Sequence, residues 1–347
     1  MSGARRSNNM SGARRCNDMR GASRARNMRG ARRVIIAALA ALAWPALAQP
    51  AKKPPPPEPA PAAAENGNVD LAFGAYQRGF YLTALNEAAK RAKANDPAAM
   101  TLLGELYANG LGVGRDDGKA ISWYKHAADH GAPNAMFALA MFAFEGRGGP
   151  RDPDAAAKYL SDAAKLGHPA AEYDLGLLYL QGRQFPQDYK RAAELFRAAA
   201  AAGNSEAQYA LGTLYKEGRG VPKDMHEAMQ LMGLAAVAGN VDAMVEYAIA
   251  QFNGTGVPKD EAAAAQLFLK AAHLGSPIAQ DRLSRILMAG RGMPANPTEA
   301  IMWHIVAKAG GASDPDLDVF ASQQPADVRA KAEQEAKKWL STAPPRS

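Results

Sequence analysis

Apolar and polar residues along most of this chain follow the period of an amphipathic helix. Ala99, Leu103, Leu106 and Tyr107 occupy the i, i+4, i+7 and i+8 positions of one helical face. A glycine-rich segment follows them, and glycine ends helices because it adopts the left-handed conformation without strain. The pattern therefore predicts a helix over about 97–109.

The same pattern recurs at a constant spacing of 36 residues. Three ladders keep this step: a glycine that ends the first helix of each unit (helix A), an acidic or amide residue that starts the second (helix B), and a glycine that ends helix B. Their members are Gly110, Gly146, Gly182, Gly218, Gly254 and Gly290; Asp116, Asp152, Asp188, Asp224, Asp260 and Asn296; and Gly131, Gly167, Gly203, Gly239, Gly275 and Gly311. A fixed period of about 20–50 residues is typical of a solenoid, in which each unit buries its apolar face against its neighbours.

The ends and the packing face of the helices can also be predicted. The acidic ladder should cap helix B, and Asp224 with Glu227, like Asn296 with Glu299, fits a capping box. A small residue recurs inside helix A, which predicts a close approach of helices A and B. These small residues are Gly104, Ala140, Gly176, Gly212, Ala248 and Ser284.

These motifs resemble the Sel-one-like repeat family, a relative of the tetratricopeptide repeat. The segment 99–131 follows the family pattern A-x-x-x-L-G-x-L-Y-x-x-G-x-G-V and D-x-x-K-A-x-x-W-Y-x-x-A-A-x-x-G almost residue for residue. The third unit departs from it with Gln184 at the second loop glycine, and the sixth has Lys308 in the Ala-Ala pair. The resemblance implies an all-α fold, a right-handed α/α superhelical solenoid of two-helix repeats.

Segments of different composition flank the six units at 97–311. Residues 1–27 form a low-complexity upstream tract, for which an untranslated segment with a start at Met28 is the alternative interpretation. Residues 28–48 predict a signal peptide with cleavage after Ala48. Residues 49–68 are rich in proline and alanine and predict an extended linker. We expect a tetratricopeptide-like first repeat over 69–96, and capping helices with a tail over 312–347.

The charge of the whole chain does not describe its folded part. The net charge is +7 with a pI near 9.4. Residues 1–48 hold ten arginines and one acid, a net of +9, which leaves −2 for the remainder. Without a basic patch, the repeats are not expected to bind nucleic acid. The signal peptide predicts a periplasmic or secreted protein with no stable membrane span after cleavage.

Catalytic and metal-binding motifs are weak throughout the sequence. Ser122 and Lys125 spell S-x-x-K without the partner motifs of penicillin-recognising enzymes, and His226-Glu227 lacks the second histidine of the zinc motif H-E-x-x-H. His126 and His130 lie four residues apart with no third ligand in view. We therefore expect no catalytic residue, no metal and no cofactor.

Two functions of different classes remain. The first is a non-enzymatic protein–protein interaction scaffold in the periplasm or cell envelope, with a regulatory or adaptor role, as the resemblance implies. The second is an envelope hydrolase, since some cysteine-rich relatives have been described as penicillin-binding or β-lactamase-like. Those relatives pair cysteines within each repeat, whereas the single cysteine here, Cys16, lies in the leader.

The partner is expected in the concave groove of the solenoid, which helix A lines in related folds. Two helix-A columns vary between units: Leu102, Ala138, Asp174, Ala210, Glu246 and Arg282; and Glu105, Met141, Leu177, Thr213, Ile249 and Arg285. They predict an apolar strip with an acidic rim that binds a protein or peptide segment with some basic residues. The candidate residues are Met141, Asp174, Leu177, Thr213, Glu246 and Ile249. The alternative is that the apolar members of these columns pack against the next repeat.

Overall fold

The computed structural model describes residues 70–342, and this part of the chain holds 16 α-helices and no β-strand. The upstream tract, the signal peptide and the linker predicted for 1–68 lie outside the described residues. In chain order the helices are α1 Leu71–Gln77, α2 Tyr81–Ala92, α3 Pro97–Asn109, α4 Asp117–Asp129, α5 Pro133–Glu145, α6 Pro153–Lys165, α7 Pro169–Gln181, α8 Tyr189–Ala201, α9 Ser205–Glu217, α10 Met225–Val237, α11 Val241–Asn253, α12 Glu261–His273, α13 Pro277–Ala289, α14 Pro297–Ala309, α15 Pro315–Gln323 and α16 Ala326–Thr342.

From α3 to α14 the helices form six pairs, which are the six predicted repeats. Each odd-numbered helix in this range is helix A of a repeat, and each even-numbered helix is helix B. Helix A packs along helix B of its own repeat, and helix B packs against helix A of the next. The expected fold, a right-handed α/α solenoid of two-helix repeats, is confirmed.

The small residue inside helix A explains how closely the two helices of a repeat approach. A Cβ placed on Gly104 would lie 2.5 Å from the Tyr124 ring, and one placed on Gly176 would lie 2.5 Å from the Phe196 ring. Both rings are buried. The small residue of helix A and the large residue of helix B therefore fill one volume together.

The acidic ladder caps helix B as predicted, but the capping boxes are only half formed. Asp224 Oδ1 accepts hydrogen bonds from the backbone N–H groups of His226 and Glu227 at 2.9 and 3.1 Å. The N–H of Asp224 does not need the Glu227 side chain, because it donates to the carbonyl oxygen of Tyr215 in helix A at 3.0 Å. The N–H of Asn296 likewise donates to the Leu287 carbonyl oxygen at 3.0 Å. The reciprocal bond of the box is thus replaced by a bond between the helices.

The third repeat, which has Gln184 where other repeats have a glycine, connects its helices differently. Gln184 does not adopt the left-handed conformation, since Asn95 is the one non-glycine residue with positive φ in the described part. Phe185 stacks on Tyr179, with ring centroids 4.9 Å apart. An aromatic contact thus stabilises a loop that glycine shapes in the other repeats.

An arginine after helix A connects several repeats to the one before. Arg147 Nη2 donates to Asp117 Oδ1 at 2.6 Å and to the Ala108 carbonyl oxygen at 2.8 Å. Its guanidinium also lies 3.9 Å from the centroid of the Phe142 ring. The hydrogen bond from Arg147 holds the pKa of the Asp117 carboxyl below its ordinary value. Arg291 and Glu261 form the equivalent ion pair four repeats later.

Replacing Arg147 by methionine should lower the free energy of unfolding by about 1–2 kcal/mol, because a half-buried ion pair, a carbonyl hydrogen bond and a cation–π contact are lost together. Arg183 is the matched control. It occupies the same loop position one repeat later but makes no ion pair with any described residue, since Pro153 stands where Asp117 stands. Arg183→Met should change stability by less than about 0.5 kcal/mol. Urea denaturation followed by circular dichroism measures both, and equal losses would contradict the interpretation.

Two further helices precede the six repeats and two follow them. Ala84 and Ala88 of α2 are fully buried, and Gly79 forms the turn between α1 and α2 with φ of +79°. At the other end, Ala332 and Ala336 of α16 are buried, and Trp339 packs edge-to-face on Trp303 with ring centroids 5.6 Å apart. Both ends of the helical array are thus packed onto the repeats that they adjoin.

Candidate functional site

The candidate residues lie at equivalent positions on successive A helices. Met141 is on α5, Asp174 and Leu177 on α7, Thr213 on α9, and Glu246 and Ile249 on α11. We define the helix-A strip as these two columns with one further position on either side along the same helical face, which are residues 98, 102, 105 and 109 in the first repeat and their equivalents in the others. The four positions share a face because they are spaced i, i+4, i+7 and i+11.

The structure leaves the candidate residues unequally exposed. Met141, Thr213, Glu246 and Ile249 are half-buried, while Asp174 and Leu177 are 7% and 3% exposed. Met141 and Ile249 rest on the edge of buried clusters of the core. Leu177 differs from the expectation of an open position, since it is packed, and a polar substitution there should destabilise the fold. The alternative that this column packs against its neighbours thus applies to Leu177 most strongly.

One ion pair joins a strip residue to the A helix of the preceding repeat. Lys216 Nζ of α9 donates to Glu246 Oε2 of α11 at 2.6 Å. The side chains are 35% and 29% exposed, so the pair is partly shielded from water. Thr213 also has an internal partner, because its hydroxyl donates to the Tyr209 carbonyl oxygen at 3.0 Å. Glu246, predicted as part of a free acidic rim, therefore already has a cation.

Asp174 is the one buried acid of the strip, and it has no such partner. It forms no hydrogen bond or ion pair with any described residue. Burial raises the pKa of the Asp174 carboxyl to about 7 from its ordinary value of 3.8. The burial of the neighbouring Tyr173, followed by the charges of Asp174 and Glu206, raises the pKa of the Tyr173 hydroxyl.

The strip is acidic over the first five repeats. It carries no lysine or arginine there, and its acids are Glu105, Glu145, Asp174, Glu206, Glu217, Asp242 and Glu246. In the sixth repeat the sign changes, with Arg282 and Arg285 at the two central positions. Arg285 forms an ion pair with Asp314, which lies just before α15. Burial, followed by repulsion from Glu246, raises the pKa of Asp242. Asp242 and Glu246 thus lie close enough to repel each other.

Sequence reasoning missed the column next to the strip. Its members are Ala108, Phe144, Leu180, Lys216, Phe252 and Met288. This column supplies Lys216 to Glu246, so it lines the junction between consecutive A helices. The residues of this column vary between repeats, which is the signal that identified the other two columns. The column could therefore have been found in the same way.

The described residues contain few other features that suit metal binding, catalysis or membrane insertion. Residues 70–342 contain no group of three or more histidine, cysteine, aspartate or glutamate side chains that could hold a metal ion. His130 Nδ1 lies 2.8 Å from the carbonyl oxygen of His126, an interaction within one helix end. None of the helices from α1 to α16 is long and apolar enough to cross a membrane. No observation favours the hydrolase alternative.

Comparison with known proteins agrees with the repeat structure. The model of the family described as Sel1 repeat matches residues 97–131, 133–168, 169–204, 205–240, 241–276 and 277–311. No curated protein matches the sequence.

Two solved structures carry the same fold. The first is c5321, a protective antigen present in uropathogenic Escherichia coli strains, with a TM-score of 0.65 and 27% identity over 75% of this chain. The match spans 57% of the length of c5321. The second is a Sel1 repeat protein from Oxalobacter formigenes, with a TM-score of 0.60 and 30% identity over 71% of this chain and 100% of that one. Because six consecutive family matches account for more than half of its residues, this chain belongs to the Sel1 repeat family.

Proposed function

We propose that this protein is a non-enzymatic scaffold that holds a segment of a partner protein along the helix-A strip, in the concave groove of the solenoid. Sel1 repeat proteins are generally protein-interaction scaffolds, and the family is typically non-enzymatic. The observation that carries the proposal is the composition of the strip. Over five repeats it combines half-buried apolar residues with acids and contains no base.

The chemistry of the strip indicates the kind of segment that would bind. Met141 and Ile249 are only partly covered, so an apolar side chain of a partner could complete their burial. The acids around them would attract basic residues and repel acidic ones. Such charge complementarity sets the orientation of the bound segment and its rate of association more than its affinity. The expected partner is therefore a helix or extended segment with apolar anchors and one or more basic residues.

We further propose that the protein is exported and acts in the periplasm in a regulatory or adaptor role. The support is the order of Arg29, Arg32 and Arg33, a short apolar run and the small residues that end at Ala48. Mass spectrometry of the protein from the envelope fraction should find Gln49 at the N-terminus. Recovery of the uncleaved chain from the cytosol would contradict export.

The groove is tested with a random library of 12-residue peptides displayed on phage and selected on the purified protein. Replacing Met141 and Ile249 together by serine should weaken binding of the selected peptides about 30- to 1,000-fold, because each apolar anchor contributes about 1–2 kcal/mol. Leu177 is left unchanged in this variant because it belongs to the packed core.

The matched control replaces two exposed apolar residues of a B helix, Leu234 and Val237 of α10, by serine. They are 58% and 86% exposed, so the change removes two solvent-exposed apolar side chains away from the strip. Peptide affinity should stay within about twofold. A selection that enriches no peptide, or a loss of affinity in the control instead of the strip variant, would overturn the proposed function.

A further inference from the structure

The pair of Lys216 and Glu246 has a counterpart two repeats earlier, at the same positions of the same helices. Phe144 of α5 stands where Lys216 stands in α9, and Asp174 of α7 stands where Glu246 stands in α11. The repeats share one helix-packing pattern, so the equivalent positions place Asp174 at the junction with Phe144 as they place Glu246 at the junction with Lys216. The carboxylate is retained in the third repeat, but its lysine is not.

This replacement leaves a buried acid without a cation. Asp174 is 7% exposed, and no described residue donates a hydrogen bond to it or forms an ion pair with it. Phe144 is half-buried and packs beside the cluster that contains Leu175 and Leu178. Burying a carboxylate without a partner destabilises the fold, so a ligand that supplies a positive charge gains by removing that penalty.

We propose that Asp174 and Phe144 form a receptor for one arginine side chain of the bound segment, with lysine as the weaker alternative. The inference rests on the proposed function, because it assigns one contact within the segment that the strip holds. The carboxylate would accept charge-assisted hydrogen bonds from the guanidinium, and the phenyl ring would contact its flat face. Arginine suits this site better than lysine because its guanidinium is planar and less strongly hydrated.

The protein already uses this combination of groups for one of its own arginines. The Arg147 guanidinium lies 3.9 Å from the Phe142 ring centroid and donates to Asp117 at 2.6 Å. In the column of Asp174, the other repeats have Leu102, Ala138, Ala210, Glu246 and Arg282. Among the six described repeats, the third is therefore the one that combines an acid in this column with no lysine opposite it. A bound segment should need a basic residue at one fixed position.

The test repeats the peptide selection on the wild type and on three variants. Peptides selected on the wild type should share one arginine or lysine at a fixed position relative to their apolar anchors. Asp174→Asn should remove that preference while the apolar anchors remain. Phe144→Lys supplies the lysine of the later repeat and should remove the preference in the same way. Lys216→Phe frees Glu246 and should add a second preferred basic position.

A double-mutant cycle separates direct contact from a structural role of Asp174. A wild-type-selected peptide and its variant with glutamine in place of the fixed basic residue are titrated against the wild type and Asp174→Asn by fluorescence anisotropy. The peptide change should cost about 10- to 100-fold in affinity on the wild type and less than about threefold on Asp174→Asn. Circular dichroism confirms that each variant folds.

The outcomes distinguish this inference from the proposed function. Selected peptides with no basic preference, or equal effects of the peptide change on both proteins, would overturn the receptor and leave the groove intact. A wild type that enriches no peptide would overturn the groove and the receptor with it. Loss of the preference in both Asp174→Asn and Phe144→Lys, together with its gain in Lys216→Phe, supports the receptor.

Discussion

Gly220→Ala should lower the free energy of unfolding by about 2–4 kcal/mol, through a clash combined with backbone strain. Gly220 lies in the loop between α9 and α10 with φ of +70°. A Cβ at this position would lie 2.2 Å from the carbonyl oxygen of Tyr189, the first residue of α8 in the preceding repeat. This oxygen belongs to the backbone and cannot move away by a side-chain rotation, so the substitution must separate the two repeats. Urea denaturation measures the loss.

The matched control for this prediction is Gly203→Ala. Gly203 also adopts a left-handed conformation, with φ of +86°, but nothing lies within 4 Å of a Cβ placed on it. Only the conformational strain remains, which predicts a loss of about 1–2 kcal/mol. The difference between the variants therefore measures the contact between repeats. Equal losses in both would show that the loop does not pack on α8 as closely as described.

Asp174→Asn should raise stability at pH 8 by about 2–4 kcal/mol, an unusual gain for a change inside a packed helix. The pKa of Asp174 is about 7 in the folded protein against an ordinary value of 3.8, so between these values the folded state holds a proton that the unfolded chain has lost. The wild type should therefore lose stability as the pH rises from about 4 to 7 and level off above 7. No charged group contributes to this shift. Asparagine carries no charge, so the variant should lack this decline.

Thermal melting of both proteins at several pH values tests this prediction. The difference in melting temperature should be largest at pH 8 and shrink steadily toward pH 4.5. Glu206→Gln serves as control, because Glu206 is an exposed acid on the adjacent α9 and its removal should change stability by less than about 0.5 kcal/mol. A variant that is less stable than the wild type at pH 8 would show that the Asp174 carboxylate is stabilised by the fold.

The repeat architecture could be predicted because its signals lie within single helices and recur. The bounds of α3, predicted at 97–109, agree with the structure, and the acidic ladder caps the B helices as expected. These features depend on local backbone chemistry, on proline and aspartate at helix starts and on glycine at helix ends. Six copies of each signal also make the period hard to mistake.

The details of the candidate site could be predicted only in part. The variation of their column between repeats identified Asp174 and Glu246. It did not show that Glu246 forms an ion pair with Lys216, whereas Asp174 has Phe144 at the equivalent position and no cationic partner among the described residues. That difference depends on which side chains of neighbouring repeats meet, about 30 positions apart. The burial of Leu177 agrees with the alternative that the apolar members of its column pack against the next repeat, and the sequence alone did not decide between the two interpretations. The sequence places Asp174 and Leu177 on one face of helix A, and packing between helices decides how far each is covered.

Methyl NMR can locate a bound partner segment on the helix-A strip. The protein is labelled at methionine and isoleucine methyl groups, and a peptide from the wild-type selection is added. Binding along the helix-A strip should change the chemical shifts of Met141 and Ile249, with no change at Ile121 of α4 and Met225 of α10, which belong to B helices. Changes at Ile121 or Met225 with Met141 and Ile249 unaffected would place the bound segment on the B helices and overturn binding along the helix-A strip.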